Sequence, residues 1–90
     1  MSIKIEMPTY LQPFTNDKEI VEVEGHTVSE CLNHLVKQFA GMQKMLFTKN
    51  NRLHGYVGIY INGEDAYPNE LAKTVKDEDK LNILYIIGGG

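Results

Sequence analysis

Few residues in this 90-residue sequence have the type and spacing to do chemistry. The single cysteine, Cys31, has no second thiol to pair with, and it lies on an apolar stripe between Val28 and Leu35, where a buried structural thiol is the expected role. His26, His34 and His54 are scattered without zinc-ligand spacing or a readable acid-base partner, so solvated or capping roles are expected. Glu64-Asp65 and Asp77-Glu78-Asp79 fall in turn-like stretches and read as solvated faces, with a rim for a basic partner as the alternative. What remains is the run ILYIIGGG. Gly88, Gly89 and Gly90 have nothing to pack and cost conformational entropy when ordered, so they do little for a fold and are read as a flexible tail, 88–90, behind a domain at 1–87. Such a tail supplies reach without bulk and ends on a carboxylate, which is a poor electrophile until it is activated.

The elements that must carry this tail follow from periodicity. SIKIEM alternates with period two and places Ile3, Ile5 and Met7 on one face, before Pro8 ends the strand. PTYLQPFTND reads as a connection, and KEIVEVEG as a second strand with Ile20, Val21 and Val23, antiparallel to the first. Thr27 followed by Glu30 is a capping-box signal for a helix whose Val28, Cys31, Leu32, Leu35, Val36 and Phe39 share one stripe, with Gly41 just past its end. Met42, Met45, Leu46 and Phe47 suit one helical turn at the core edge, followed by a loop at Asn50 and Asn51. YVGIYING is a third strand near 56–61 with Asn62-Gly63 as a tight turn. EDAYPNELAKTVKDEDK holds at most a short strand and a helical turn, and Leu81 to Ile87 is the last strand.

Two strands cannot cover the helix stripe, so the later strands must join the same sheet. The fold class is α+β: a β-grasp, ubiquitin-like arrangement with a mixed sheet of four to five strands on one main helix. If Val57, Ile59 and Ile61 face the helix, Tyr56, Gly58 and Tyr60 face away, as do Leu84 and Ile86 when Leu81 and Ile83 point in. Tyr60, Leu84, Ile86 and Ile87 are the candidate partner-binding face. An apolar fraction of 42% and a charged fraction of 23% are ordinary for a globular domain, and no run is long enough to span a bilayer. MSIKIEMP lacks the apolar segment of a secretory signal, so a cytoplasmic protein is expected. A net charge of -3 argues against a nucleic-acid partner.

MPTYLQPFT, LHGYVGIYINGEDAY and LNILYIIGGG together resemble the ubiquitin-like bacterial sulfur carriers of the ThiS, MoaD and CysO types, over nearly the whole chain and most closely the CysO type in the middle block. The family's terminal glycine pair maps onto Gly89 and Gly90. Gly88 stands where the family has a small residue, and the proline often found before the tail is replaced by the run Tyr85-Ile86-Ile87. The resemblance implies a protein co-substrate, not an enzyme, with no bound cofactor and no metal. A ThiF- or MoeB-like activating enzyme uses ATP to adenylate the Gly90 carboxylate, a sulfur donor converts it to a thiocarboxylate, and a synthase accepts the sulfur. If Gly90 is an addition, the working residue is Gly89 after trimming. The middle block leans toward cysteine or another sulfur amino acid, while thiamin and molybdopterin synthesis use the same kind of carrier. The carrier alone is expected to be a monomer. The rivals are a modifier joined to lysines by isopeptide bonds, and a binding module whose tail is never activated.

Overall fold

The computed structural model describes residues 2–85. Strands β1 (Ser2–Glu6) and β2 (Ile20–Glu24) pair antiparallel, with Ile3 opposite Val23 and Ile5 opposite Val21. Alternation buries Ile3, Ile5, Met7, Val21 and Val23. Ile20 shares the parity of Glu22 and Glu24 and therefore stays on the solvent side, 46% exposed. The stretch between these strands is more structured than a plain connection. It winds through a 3-10 turn at Thr9–Thr15 that buries Leu11 and Thr15, and Thr15 Oγ1 reaches the Lys18 carbonyl at 2.9 Å.

Helix α1 (Val28–Gln38) begins where the capping signal stands, with Thr27 Oγ1 accepting from the Glu30 N–H at 3.2 Å. The Glu30 carboxylate reaches back to the N–H of His26 at 2.8 Å, one residue beyond the usual partner. Val28, Cys31, Leu32 and Leu35 are buried, and Val36 and Phe39 pack at the margin. Full burial of each Val or Leu contributes about 1.5–3 kcal/mol, which makes this stripe a principal source of stability. Gly41 is not a left-handed stop: its φ is -63 and it opens the short helix α2 (Met42–Leu46). What its missing side chain provides is clearance, since a Cβ there would sit 3.3 Å from Phe14 Cδ1.

Strand β3 (Val57–Ile61) turns through Asn62 (φ 50) and Gly63 (φ 87) into β4 (Glu64–Asp65). Positive φ at both positions is what a two-residue hairpin of matching twist requires. Strand β5 (Lys80–Tyr85) then inserts between β1 and β3, parallel to the first through Ile5 and Leu81 and antiparallel to the second through Ile59 and Ile83. The resulting five-stranded mixed sheet has the order β2-β1-β5-β3-β4, with α1 over its apolar face, which is the β-grasp arrangement. Asp79, read from sequence as solvated, is only 8% exposed. It accepts from Asn62 Nδ2 at 2.9 Å and from the Lys76 N–H at 2.9 Å, locking the β3–β4 turn to the start of β5. Ile86 and Ile87, assigned to the last strand from sequence, lie outside the described residues. Among the described residues no helix is long and apolar enough to cross a membrane.

Candidate functional site

Gly88, Gly89 and Gly90, together with Ile86 and Ile87 of the candidate partner face, lie outside the described residues, so the structure defines the root from which they continue. That root is Tyr85, opposite Val57 at the start of β3. Tyr85 shares the inward parity of Leu81 and Ile83, and its side chain therefore closes the end of the core. Its hydroxyl donates to the Met45 carbonyl. Its ring stacks on Tyr10 at a centroid distance of 5.2 Å and meets Tyr56 edge-on at 5.0 Å. His54 extends the cluster by stacking on Tyr56 at 4.8 Å, with Nε2 3.0 Å from the Lys44 carbonyl. Burial, and then the neighbouring phenols of Tyr56 and Tyr10, push the Tyr85 hydroxyl up to about 12, so it remains a neutral donor near pH 7.

This aromatic collar was not foreseen from the sequence, which placed Tyr56 on the outer face. The backbone at Gly55 and Tyr56 is still turning, and β3 starts only at Val57, so period-two alternation does not extend back to Tyr56. Tyr10 arrives from the 3-10 turn. The signal available was the inward parity of Tyr85 at the end of a strand, since a buried phenol needs a hydrogen-bond partner and neighbours.

The outer face is as expected at two positions. Gly58 lies opposite Leu84 and Tyr60 opposite Asn82, so Tyr60 and Leu84 are diagonal neighbours on that face. Tyr60 is partly buried and Leu84 is 41% exposed. The row beyond them is polar. The Asn82 amide donates to the Glu6 carboxylate, Lys80 Nζ lies 3.7 Å from the same carboxylate, and Lys4 stands between Glu22 and Lys80. Beside β5 the apolar surface of this face is Leu84 and part of Tyr60, and across the polar row Ile20 is exposed on the edge strand β2.

The other chemistry-bearing residues have structural roles. Cys31 is fully buried, and burial, reinforced by the charge of Glu30, pushes its thiol up to about 11. His34 Nδ1 accepts from the Glu24 N–H at 2.8 Å and Gln38 Nε2 donates to the Glu22 carbonyl at 3.1 Å, so two side chains one helical turn apart cap backbone groups on the outer edge of β2. Edge capping of this kind deters unwanted strand pairing. The N–H of His26 is held by Glu30. Among the described residues no group of three or more His, Cys, Asp or Glu side chains is placed to hold a metal. An open groove of about 680 Å³ runs beside β3, lined by Arg52, His54, Tyr60, Asp65, Tyr67 and Leu71, and among the described residues no buried side-chain polar atom lacks a partner.

Comparison with known proteins bears on the same end of the chain. A model of the ThiS family matches residues 5–90. The sulfur carrier protein CysO of Mycobacterium tuberculosis is 30% identical over 93 residues, covering 100% of both proteins. A chain of the Amycolatopsis orientalis BexX/CysO complex superposes with a TM-score of 0.88 at 32% identity, covering 98% of this chain and 99% of that one. The archaeal modifier SAMP1 from Haloferax volcanii superposes with a TM-score of 0.87 at 22% identity over 100% of both chains, a likeness of fold.

Proposed function

The chain belongs to the ThiS family, and from that premise we propose a sulfur carrier whose Gly90 carboxyl is adenylated by a partner and converted to a thiocarboxylate. It is a protein co-substrate, consumed and regenerated, and the catalysis is the partner's. A Gly90 carboxylate oxygen attacks the α-phosphorus of ATP and pyrophosphate leaves, giving an acyl-adenylate. Hydrosulfide, or a donor delivering sulfur at that oxidation level, then adds to the acyl carbon. AMP leaves with the bonding electron pair, a proton is released, and one oxygen of the carboxylate has been replaced by sulfur. ATP is the activating enzyme's co-substrate, and the carrier holds no cofactor of its own.

The observation that carries this reading is the end-to-end similarity to sulfur carriers, aligned through a glycine run, 88–90, separated from the end of β5 by two residues in sequence. Glycines suit a narrow channel because they add length without bulk. Leu84, two residues before Ile86 in sequence, and its diagonal neighbour Tyr60 on β3 stand on the outer side of the sheet and, with Ile86 and Ile87, form the candidate outer contact with the activating enzyme. The similarity to CysO directs the sulfur toward cysteine or another sulfur amino acid, with a synthase as acceptor.

The test is intact mass with C-terminal peptide mapping after incubation with ATP, sulfide and a ThiF- or MoeB-like enzyme. Replacement of one oxygen by sulfur at Gly90 is the expected result, and the same change at Gly89 after loss of Gly90 would move the reactive residue by one. An unchanged mass with every ThiF- or MoeB-like enzyme of its own organism, each active on some carrier, would refute the reading. Recovery of the chain joined through Gly90 to lysines would replace it with protein modification.

A further inference from the structure

We propose that Tyr10 and Tyr56, both held against Tyr85, form the docking surface on which the rim of the adenylating enzyme's channel seats. The inference rests on the reading of Gly90 as the reactive residue and adds to it the part of the folded domain that the partner must recognise.

Chain length supplies the first argument. Residues 86–90 follow Tyr85, and at no more than about 3.6 Å each they keep Gly90 within roughly 18 Å of that residue. A partner that encloses Gly90 in an active site therefore brings the mouth of its channel against the surface around Tyr85. The nature of that surface supplies the second. On its core side stand Tyr10, 58% exposed, and Tyr56, 41% exposed, both with rings fixed against Tyr85. Rigid, partly exposed tyrosines combine apolar area with a polar tip and lose little entropy on binding, which is why they recur as interface anchors. On the outer side the apolar surface beside β5 is Leu84 and part of Tyr60, separated from the exposed Ile20 of β2 by the row of Asn82, Glu6 and Lys80, which is already paired within the molecule. The collar thus offers the more extensive apolar contact at the tail root.

The fixed geometry has a third consequence. The Tyr85 hydroxyl is satisfied by the Met45 carbonyl, so its ring is a support, and the groups left to a partner are the faces and hydroxyls of Tyr10 and Tyr56. A fitting rim is apolar at its centre, with hydrogen-bond acceptors at its margin for the two phenols.

The experiment measures adenylation kinetics of the full chain with the activating enzyme, using Tyr10→Ser, Tyr56→Ser and the double variant. Leu84→Ser reports on the outer face beside β5, and Ile20→Ser serves as an exposed apolar control on the edge strand β2, two strands from β5. Far-ultraviolet circular dichroism and melting temperature confirm that each variant is folded. The expected result for the double variant is a rise in KM of about tenfold or more with kcat within about twofold, the pattern of lost docking that leaves the chemical step intact. Ile20→Ser should match wild type. A folded double variant with wild-type KM would overturn the collar while leaving the carrier reading in place. A rise in KM confined to Leu84→Ser would do the same. Failure of the wild-type chain to be adenylated by any ThiF- or MoeB-like enzyme of its own organism, each active on some carrier, would instead overturn the carrier reading, and the docking surface with it.

Discussion

Replacing Asp79 with alanine should destabilise the domain without touching its delivery end. The carboxylate accepts from Asn62 Nδ2 and the Lys76 N–H, each at 2.9 Å, while the residue is only 8% exposed. Hydrogen bonds to a charged group contribute about 1.5–3 kcal/mol each, and donors left behind at a nearly enclosed site are poorly rehydrated. Taking the lower end for both bonds gives a loss of about 3 kcal/mol, or about 12–24 °C in Tm for a domain of this size. Asp77 is the internal control. Its carboxylate accepts from the Ser2 N–H at 2.7 Å, but in an exposed setting, so Asp77→Ala should cost about 1 kcal/mol or less.

The same residue fixes a pH dependence. The Asn62 amide, and then the Lys76 N–H, hold the Asp79 carboxyl below its ordinary value of 3.8. A depressed folded value means that the charged form is favoured by folding. This contribution is therefore complete above pH 3.8 and disappears as pH falls through the lower folded value. The stability difference between wild type and Asp79→Asn should shrink in that acid window. Denaturant unfolding of the variants across pH 2–7 gives both numbers. Equal costs for Asp79→Ala and Asp77→Ala, or an unaltered acid limb in Asp79→Asn, would refute the reasoning. Asp79 adjoins Lys80, at the opposite end of β5 from Tyr85 and about 17 Å away along the strand, so thiocarboxylate yield per folded molecule should not change.

Two further outcomes test the packing around α1. A Cβ at Gly25 would lie 2.9 Å from both the Cys31 backbone nitrogen and Glu30 Cβ, so Gly25→Ala should cost about 1–3 kcal/mol by overpacking, read as a lower denaturation midpoint; a neutral effect would show that the helix start yields freely. Cys31, buried with its thiol pushed up to about 11, should resist alkylation in the native state at neutral pH and label rapidly in denaturant. Labelling of the native protein at the rate of a free thiol would contradict that burial.

Features fixed by neighbours in sequence were legible before the structure. Alternation placed Ile3, Ile5 and Met7 inside, helical spacing placed Val28, Cys31, Leu32 and Leu35 inside, and Asn62-Gly63 supplied the positive φ of the tight turn. Features that depend on where distant segments meet were not. Asp79 became a buried acceptor because Asn62, in another turn, supplies its donor, and no local pattern connects the two. The 3-10 turn at Thr9–Thr15 has too short a run for a period to show, yet it delivers Tyr10 to the tail root. The collar escaped notice for the same reason: Tyr10, Tyr56 and Tyr85 come from three separate parts of the chain. At the candidate site, the glycine run stands out from composition alone, whereas the surface beside it required the fold.

That difference bears on how a carrier can be specific. Glycines present no side chains to a partner, so a channel that accepts one such tail by its width accepts another. On the proposed reading, discrimination comes from surface that the fold holds close to Gly90, because only contacts within reach of a channel mouth would form with the carboxyl engaged. Here the strand end is pinned three ways, by the Tyr85 hydroxyl on the Met45 carbonyl and by the Tyr10 and Tyr56 rings packed against its own. Pinning confines Gly90 to a volume about 18 Å in radius around Tyr85 and keeps Tyr10 and Tyr56 in fixed register with it. A preorganised surface loses less entropy on docking than a mobile one, so the same rings that close the core also lower the cost of recognition.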